Sequence, residues 1–200
     1  MFARLALALA LVCGFTCHAG ILFEPYAGYS LGDLKRSYSE QHPSELLRET
    51  ETEGHADGFA YGGRLGWTFG QLVVGAEYQG VRGDVKGSGG QESRGWTSSA
   101  IFGILGLQFL SGIRLFGGMS VQDVQVIEQT EPERTKYEGK AMKAGIGYRY
   151  RAPVAINVEY VMYDMDKMKI GGDEYRVSDT FESFKYSTVI LSLSFPFEMN

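Results

Sequence analysis

Residues 59–82 read FAYGGRLGWTF, then GQ, then LVVGAEYQGVR. Apolar and polar side chains alternate through both runs, and Gly70-Gln71 separates them. Period-two alternation on either side of a two-residue glycine turn is the signature of an antiparallel hairpin. A two-residue loop places Phe69 opposite Leu72. Counting back along both strands then places Arg64 directly opposite Glu77. Facing residues on paired strands have Cβ atoms about 4.5–5.5 Å apart, within reach of a bidentate guanidinium–carboxylate pair. A hairpin with an ion pair in the middle of one face and aromatic residues at its ends calls for an unusual environment.

The same pattern recurs along the chain. Alternating segments fall at about 21–31, 59–69, 72–82, 96–109, 113–123, 140–150, 154–164 and 186–197. Each is near the 9–11 residues that a tilted strand needs to cross a hydrocarbon layer. The connections differ in length by turns. Gly70-Gln71, Leu110-Ser111-Gly112 and Arg151-Ala152-Pro153 are tight, at a spacing of about 41 residues that marks a hairpin unit rather than a repeated motif. Residues 32–58, 83–95, 124–139 and 165–185 are long and polar. Short turns at one end and long loops at the other are the pattern of a transmembrane β-barrel, with the short turns periplasmic. The fold class expected is all-β, an eight-stranded antiparallel up-and-down barrel.

The two faces separate cleanly. Val189, Leu191, Leu193, Phe195 and Phe197 alternate with Thr188, Ser192 and Ser194. Ile113, Leu115, Met119 and Val121 alternate with Arg114, Ser120 and Gln122. Ile156, Val158, Tyr160 and Met162 alternate with Asn157 and Glu159, and Met142, Ala144, Ile146, Tyr148 and Tyr150 with Lys143 and Arg149. A soluble sandwich would also alternate. Here the apolar face carries aromatics near the strand ends, with Phe69, Phe109, Tyr150, Phe195 and Phe197 at one end and Tyr29, Tyr61 and Tyr78 toward the other. That is an interfacial girdle, so the apolar face meets lipid. Residues 98–105 are apolar on both faces. With Ile101, Leu105, Leu107 and Phe109 outward, Phe102 and Ile104 point into the lumen.

The N-terminus explains how such a chain reaches an outer membrane. Arg4, the apolar stretch from Leu5 to Phe15, and Cys17-His18-Ala19 have the layout of a secretory signal peptide cleaved after Ala19. The stretch falls short of the ~20 apolar residues of a membrane helix. Neither Cys13 nor Cys17 follows the Leu-x-small run of a lipoprotein signal. The expected organisation is a signal peptide over 1–19 and one barrel domain over 20–200. Both cysteines of the chain lie in the signal, so the mature barrel has no disulfide, thiol nucleophile or cysteine metal site. A formal net charge of −5 gives no footprint for nucleic acid.

The inward face holds Glu24, Arg64, Glu77, Arg114, Lys143, Arg149 and Glu159. An Arg or Lys facing lipid at mid-depth costs about 2–4 kcal/mol, whereas charges facing inward can pair. Lys143 and Glu159 are expected to be neighbours. Eight strands leave an interior just wide enough for side chains to fill, so the first reading is a structural plug. The second is a gated pore in which Arg64 and Glu77 exchange partners. The third is a passage for small apolar molecules lined by Phe102, Ile104, Phe116, Val161, Tyr163 and Ile190.

The long loops are acidic, residues 33–58 carrying seven acids and three bases. Such a surface meets the phosphates of lipopolysaccharide only through bridging cations or its few Lys and Arg. Glu49, Glu51 and Glu53 alternate between His42 and His55, an arrangement that would suit a divalent cation in a β-extended loop but equally a solvated one. Catalysis needs a nucleophile, a base and an orienter. Both mature histidines fall in the first long loop, and only a loop triad of His42 or His55 with Ser88 would serve. No catalytic residue, cofactor or metal ligand is assigned.

The runs Glu24-Pro25-Tyr26-Ala27-Gly28-Tyr29, Gly62-Gly63-Arg64-Leu65-Gly66-Trp67, Lys143-Ala144-Gly145-Ile146-Gly147-Tyr148 and Asn157-Val158-Glu159-Tyr160 resemble the strands of the small outer-membrane β-barrels, the group of outer-membrane proteins A, X and W. The resemblance spans residues 21–197. It implies insertion by the barrel assembly machinery, which reads a final strand ending in an aromatic. Phe197 fits, displaced by Glu198-Met199-Asn200. It also implies either a hydrophobic conduit, as in the W-type, or action through protruding loops, as in the X-type. The C-terminal peptidoglycan-binding domain of full-length A-type proteins is not expected. The expectation is a monomer in the cell outer membrane, termini in the periplasm, loops outside, among outer-membrane lipids and lipopolysaccharide. Its role is non-enzymatic, structural or surface-interacting.

Overall fold

A computed structural model describes residues 19–38, 51–87, 93–129, 134–149, 153–170 and 173–199. The strands are β1 (Ala19–Tyr38), β2 (Glu51–Phe69), β3 (Leu72–Gly87), β4 (Arg94–Gln108), β5 (Ile113–Ser120), β6 (Val124–Gln129), β7 (Arg134–Tyr148), β8 (Ala155–Ile170), β9 (Asp173–Arg176), β10 (Phe181–Ser194) and β11 (Phe197–Met199). One helical turn, α1 (Val177–Thr180), precedes β10. β5 and β6 follow one another along the same barrel position, both bounded by β4 and β7. β10 and β11 likewise both pair with β1. Antiparallel pairing runs from β1 through β2, β3, β4, β5/β6, β7 and β8 to β10/β11 and back to β1, closing a ring of eight strands. Closure leaves no open edge in the ring, which a strand protein must achieve to sit in hydrocarbon, and the short β9 pairs with β8 outside it.

The β2–β3 ladder has Phe69 opposite Leu72 and Arg64 opposite Glu77. Phe59, Tyr61, Leu65, Trp67 and Phe69 all stand on the outer surface. From Phe59 to Phe69 a tilted strand climbs about 25 Å, the height of a barrel's apolar band. The band continues around the wall through Leu105, Leu115, Met119, Ile146, Val158, Leu191 and Leu193. Tyr29, Tyr61 and Tyr78 stand at its upper margin and Phe69, Phe109, Phe195 and Phe197 at its lower one. Tyr150 lies outside the described residues.

The strands do not stop where the band stops. β2 begins at Glu51 and β1 ends at Tyr38, and β3, β4, β7 and β8 also reach past the aromatic margin. Residues 32–38, 51–58, 83–87, 134–139 and 165–170 are therefore strand, not loop. Loops 32–58, 83–95, 124–139 and 165–185 are connections as expected, but shorter. Backbone groups beyond the membrane remain paired because the neighbouring strand is already in register, and each further residue adds to an existing ladder. On β2 the added wall is about 20 Å high.

Two strands break where they were expected to be continuous. After a last cross-strand bond from Val121 N to Ile101 O at 2.9 Å, residues 122–123 leave the ladder between β5 and β6, and Gln122 is exposed instead of buried in the lumen. Phe195-Pro196 interrupt the last strand, since proline cannot donate to a ladder.

Candidate functional site in the barrel lumen

Three neighbouring strands lay charges in one row. Glu24 on β1 is opposite Arg64 on β2, which is opposite Glu77 on β3. Phe102 on β4 continues the row. From the far wall come Arg114 on β5, Lys143 on β7 and Glu159 on β8. All six charged residues are buried, none more than 5% exposed.

Arg64 is the hub. Its Nε donates to Glu77 Oε2 at 3.0 Å and its Nη1 to Glu24 Oε1 at 3.0 Å, and Nη2 reaches across to Glu159. The guanidinium fork thus serves three carboxylates singly, rather than Glu77 bidentately. The bidentate pair is Arg114 with Glu24, at 2.8 and 2.5 Å. Lys143 donates to Glu77 at 2.6 Å and to Gln79 Oε1 at 2.9 Å, and pairs with Glu159. Tyr26 donates to Glu77 Oε1 at 2.7 Å. Three cations balance three anions, so the cluster is formally neutral. The Arg64 guanidinium also stacks over Phe116 at 4.3 Å and Tyr26 at 5.0 Å, and the Lys143 ammonium sits over Phe102 at 4.9 Å. Glycine at 62 and 145 makes room for these rings, since a Cβ there would strike Tyr26 and Phe116.

Such a cluster is stable only when complete. Moving one ion from water into a protein interior costs several kcal/mol, repaid when each charge has close partners and its remaining donors are bonded. Its carboxylates and cations are committed to one another. What it does is join opposite walls of a narrow barrel.

No protein-family model matches the chain, and no curated protein matches it in sequence. Solved structures do. The attachment invasion locus protein Ail of Yersinia pestis superposes with a TM-score of 0.54 at 13% identity, covering 89% of this chain and 99% of Ail. Neisserial surface protein A gives 0.51 at 12% identity, covering 88% and 97%. OprG of Pseudomonas aeruginosa gives 0.50 at 12% identity, covering 89% and 96%. The chain has the fold of the small eight-stranded outer-membrane β-barrels. At such identities the likeness speaks for the fold, and the outer-membrane setting follows from that fold together with the apolar girdle.

Arg149 stands apart from the ionic cluster. It lies past the end of β7, at the short-turn mouth of this outer-membrane barrel, and pairs with Glu198 at 3.0 Å. Its parity is inward, but its depth is wrong: the neighbouring turn brings it to the rim. Sequence alternation reads which face a residue takes and is blind to depth. The same blindness hid the partners Tyr26 and Gln79, whose uncharged side chains gave no signal among so many tyrosines and glutamines.

Apolar side chains share the lumen with the charges and carry it upward: Phe102, Ile104, Phe116, Val161 and Ile190 lie in the ladder rows of Glu77, Lys143 and Glu159, and Tyr163 lies above them. Phe102, Ile104, Val161, Tyr163 and Ile190 are buried, and Phe116 is half-buried against Arg64. Tyr163 stacks on Tyr186 at 4.5 Å, and Trp96 meets Tyr186 edge-on at 5.2 Å while its Nε1 donates to the tyrosine hydroxyl at 3.3 Å. Leu34, Ala56, Val126, Met165, Met168, Val177 and Phe181 carry this core up beyond the membrane band. A second ionic node closes it: Glu128, buried, takes Arg36 at 2.7 Å and Arg94 at 3.3 Å, with Arg36 lying over Tyr137 and Phe184.

His55 falls on β2, not in a loop. It faces outward, exposed, with Nδ1 3.0 Å from Asp33 Oδ1. Glu53 takes Lys35 at 2.7 Å, which holds its carboxyl below the usual range. His42, Glu49 and Ser88 lie outside the described residues.

Proposed function

We propose that this is a non-enzymatic outer-membrane barrel whose lumen is closed by a charge plug and whose work is done at its outer surface. The supporting observation is the buried cluster of Glu24, Arg64, Glu77, Arg114, Lys143 and Glu159, which links six strands across the full width of the lumen. In this reading the side chains that hold one another leave ions no route past them. The part of the molecule left to meet partners is the wall that rises beyond the membrane and the acidic connections it carries. In this reading residues 1–19 are the export signal and are removed, the short turns and both mature termini face the periplasm, and the barrel acts as a monomer. Export ends with insertion by the barrel assembly machinery. Lipopolysaccharide surrounds the outer half of the wall.

A second reading has its own support. The upper lumen is largely apolar, with Ser30, Gln79, Ser98 and Thr188 buried among its apolar side chains, a lining that would suit a conduit for small hydrophobic molecules. The lining side chains are packed against each other, however, so a conduit would require them to move.

Solute uptake into liposomes containing the refolded protein separates the two readings. Wild type is expected to be silent to ions and sugars, and Arg64→Ala and Glu77→Ala to admit small ions. Uptake by wild type would refute the plug. Uptake of small apolar solutes alone would favour the conduit.

A further inference from the structure

At the short-turn mouth a recess of about 200 Å³ is lined by Gln108, Phe109, Leu110, Gly112, Arg114 and Arg149. Its polar side chains are all hydrogen-bond donors or bear one. Gln108 on β4 and Arg114 on β5 are directly opposite one another. Arg114 spends Nη1 and Nη2 on Glu24, yet its Nε is buried with no hydrogen-bond partner among the described residues. The Nε2 of Gln108 is in the same state. A buried donor left unbonded costs about 1–3 kcal/mol. Two such N–H groups side by side cannot satisfy each other, because both donate. Arg149 adds a cation at the outer lip of the same recess, where it holds Glu198 at 3.0 Å.

We propose that this recess is a binding site for a small oxyanion, a phosphate or carboxylate group, held by Arg114 Nε, Gln108 Nε2 and the Arg149 guanidinium. A cation would meet the positive charges of Arg114 and Arg149, and an apolar guest would leave both N–H groups unbonded. An oxyanion supplies several acceptor lone pairs within a small radius, and hydrogen bonds to a charged acceptor are about twice as strong as neutral ones. The site lies at the membrane face opposite the extracellular wall and does not depend on whether the lumen conducts. Two sources offer this chemistry there: a soluble anion, or the phosphate of a phospholipid headgroup in the adjoining leaflet.

The test is a 1H–15N titration of the full refolded protein in alkyl maltoside micelles, which carry no phosphate, with inorganic phosphate against chloride at matched ionic strength. The side-chain Nε–H of Arg114 and the amide pair of Gln108 are observed directly. Saturable shifts of both with phosphate and not chloride are expected, with affinity about tenfold weaker in Gln108→Leu, the loss of one charge-assisted hydrogen bond. Arg149→Met is expected to weaken it too. Shifts that are absent with inorganic phosphate in micelles and appear in phospholipid nanodiscs would support the site and assign it to a lipid headgroup. No shift in either setting, or shifts unchanged in Gln108→Leu, would overturn the proposal. A Gln108 amide turned to place its oxygen on Arg114 would give that silent result.

Discussion

Arg64 is where the account is most exposed to test. It holds Glu24, Glu77 and Glu159 at once, in a site 2% exposed. Arg64→Ala leaves three carboxylates facing each other with only Arg114 and Lys143 to neutralise them. Breaking a buried ion pair from one side costs about 3–5 kcal/mol, so urea unfolding in lipid vesicles should show a loss of that size. Tyr26→Phe removes one hydroxyl donor from Glu77 and should cost about 1–3 kcal/mol, with the other contacts intact. Equal losses for the two variants would mean that the cluster is not centred on the arginine. The Arg64–Glu77 facing was legible in the sequence because a two-residue turn leaves no freedom in the register. The links to Glu159 and Glu24 were not, since they depend on how the barrel closes, through pairs that are distant in sequence.

At the scale of the element, the turns and the raised wall carry the predictions. Gly70 has φ of +61° with nothing near a Cβ, whereas Gly112 has φ of +90° and a Cβ there would lie 2.1 Å from the Arg149 carbonyl. Asparagine tolerates the left-handed region when it has space. Gly70→Asn should therefore cost under ~1 kcal/mol, and Gly112→Asn about 2 kcal/mol or more, because the clash also pulls at the Arg149 N to Gly112 O bond of 2.8 Å. Parallel urea titrations check the contrast. In the raised wall, hydrogen bonds from Lys136 and then Lys169 hold the Glu138 carboxyl below its ordinary 4.5, and Glu138 and Glu174 in turn raise Lys169. A depressed carboxylate stabilises the fold above its unfolded pKa, and that contribution is lost as pH falls through the lower, folded value. Amide protection in residues 135–138 and 167–170, corrected for intrinsic exchange, should fall below pH 4.5 in wild type and show no such step in Glu138→Gln. The wall itself escaped the sequence because its residues are polar on the outside and mixed within. Alternation there has no hydrocarbon to contrast with, so strand beyond the membrane looks like loop.

For the whole molecule, two stacked interiors share one barrel. The lower is ionic and lies within the membrane band. The upper is aromatic and apolar and rises above it, closed by Arg36 and Glu128. The membrane-spanning part of the fold was legible, because a strand in a closed barrel must show lipid one face and the lumen the other, and tight turns must punctuate it every second crossing. The site was legible only as far as parity reaches. Inward charges were visible, but that Arg149 sits at the rim is a matter of depth. Closure of the lumen is the central claim, and single-channel recording in planar bilayers tests it most directly. Wild type should pass no current at neutral pH, and the Arg64→Ala/Lys143→Ala double variant, with its lumen emptied of two cations, should give discrete cation-selective openings. Steady wild-type conductance, or a double variant as silent as wild type, would contradict it.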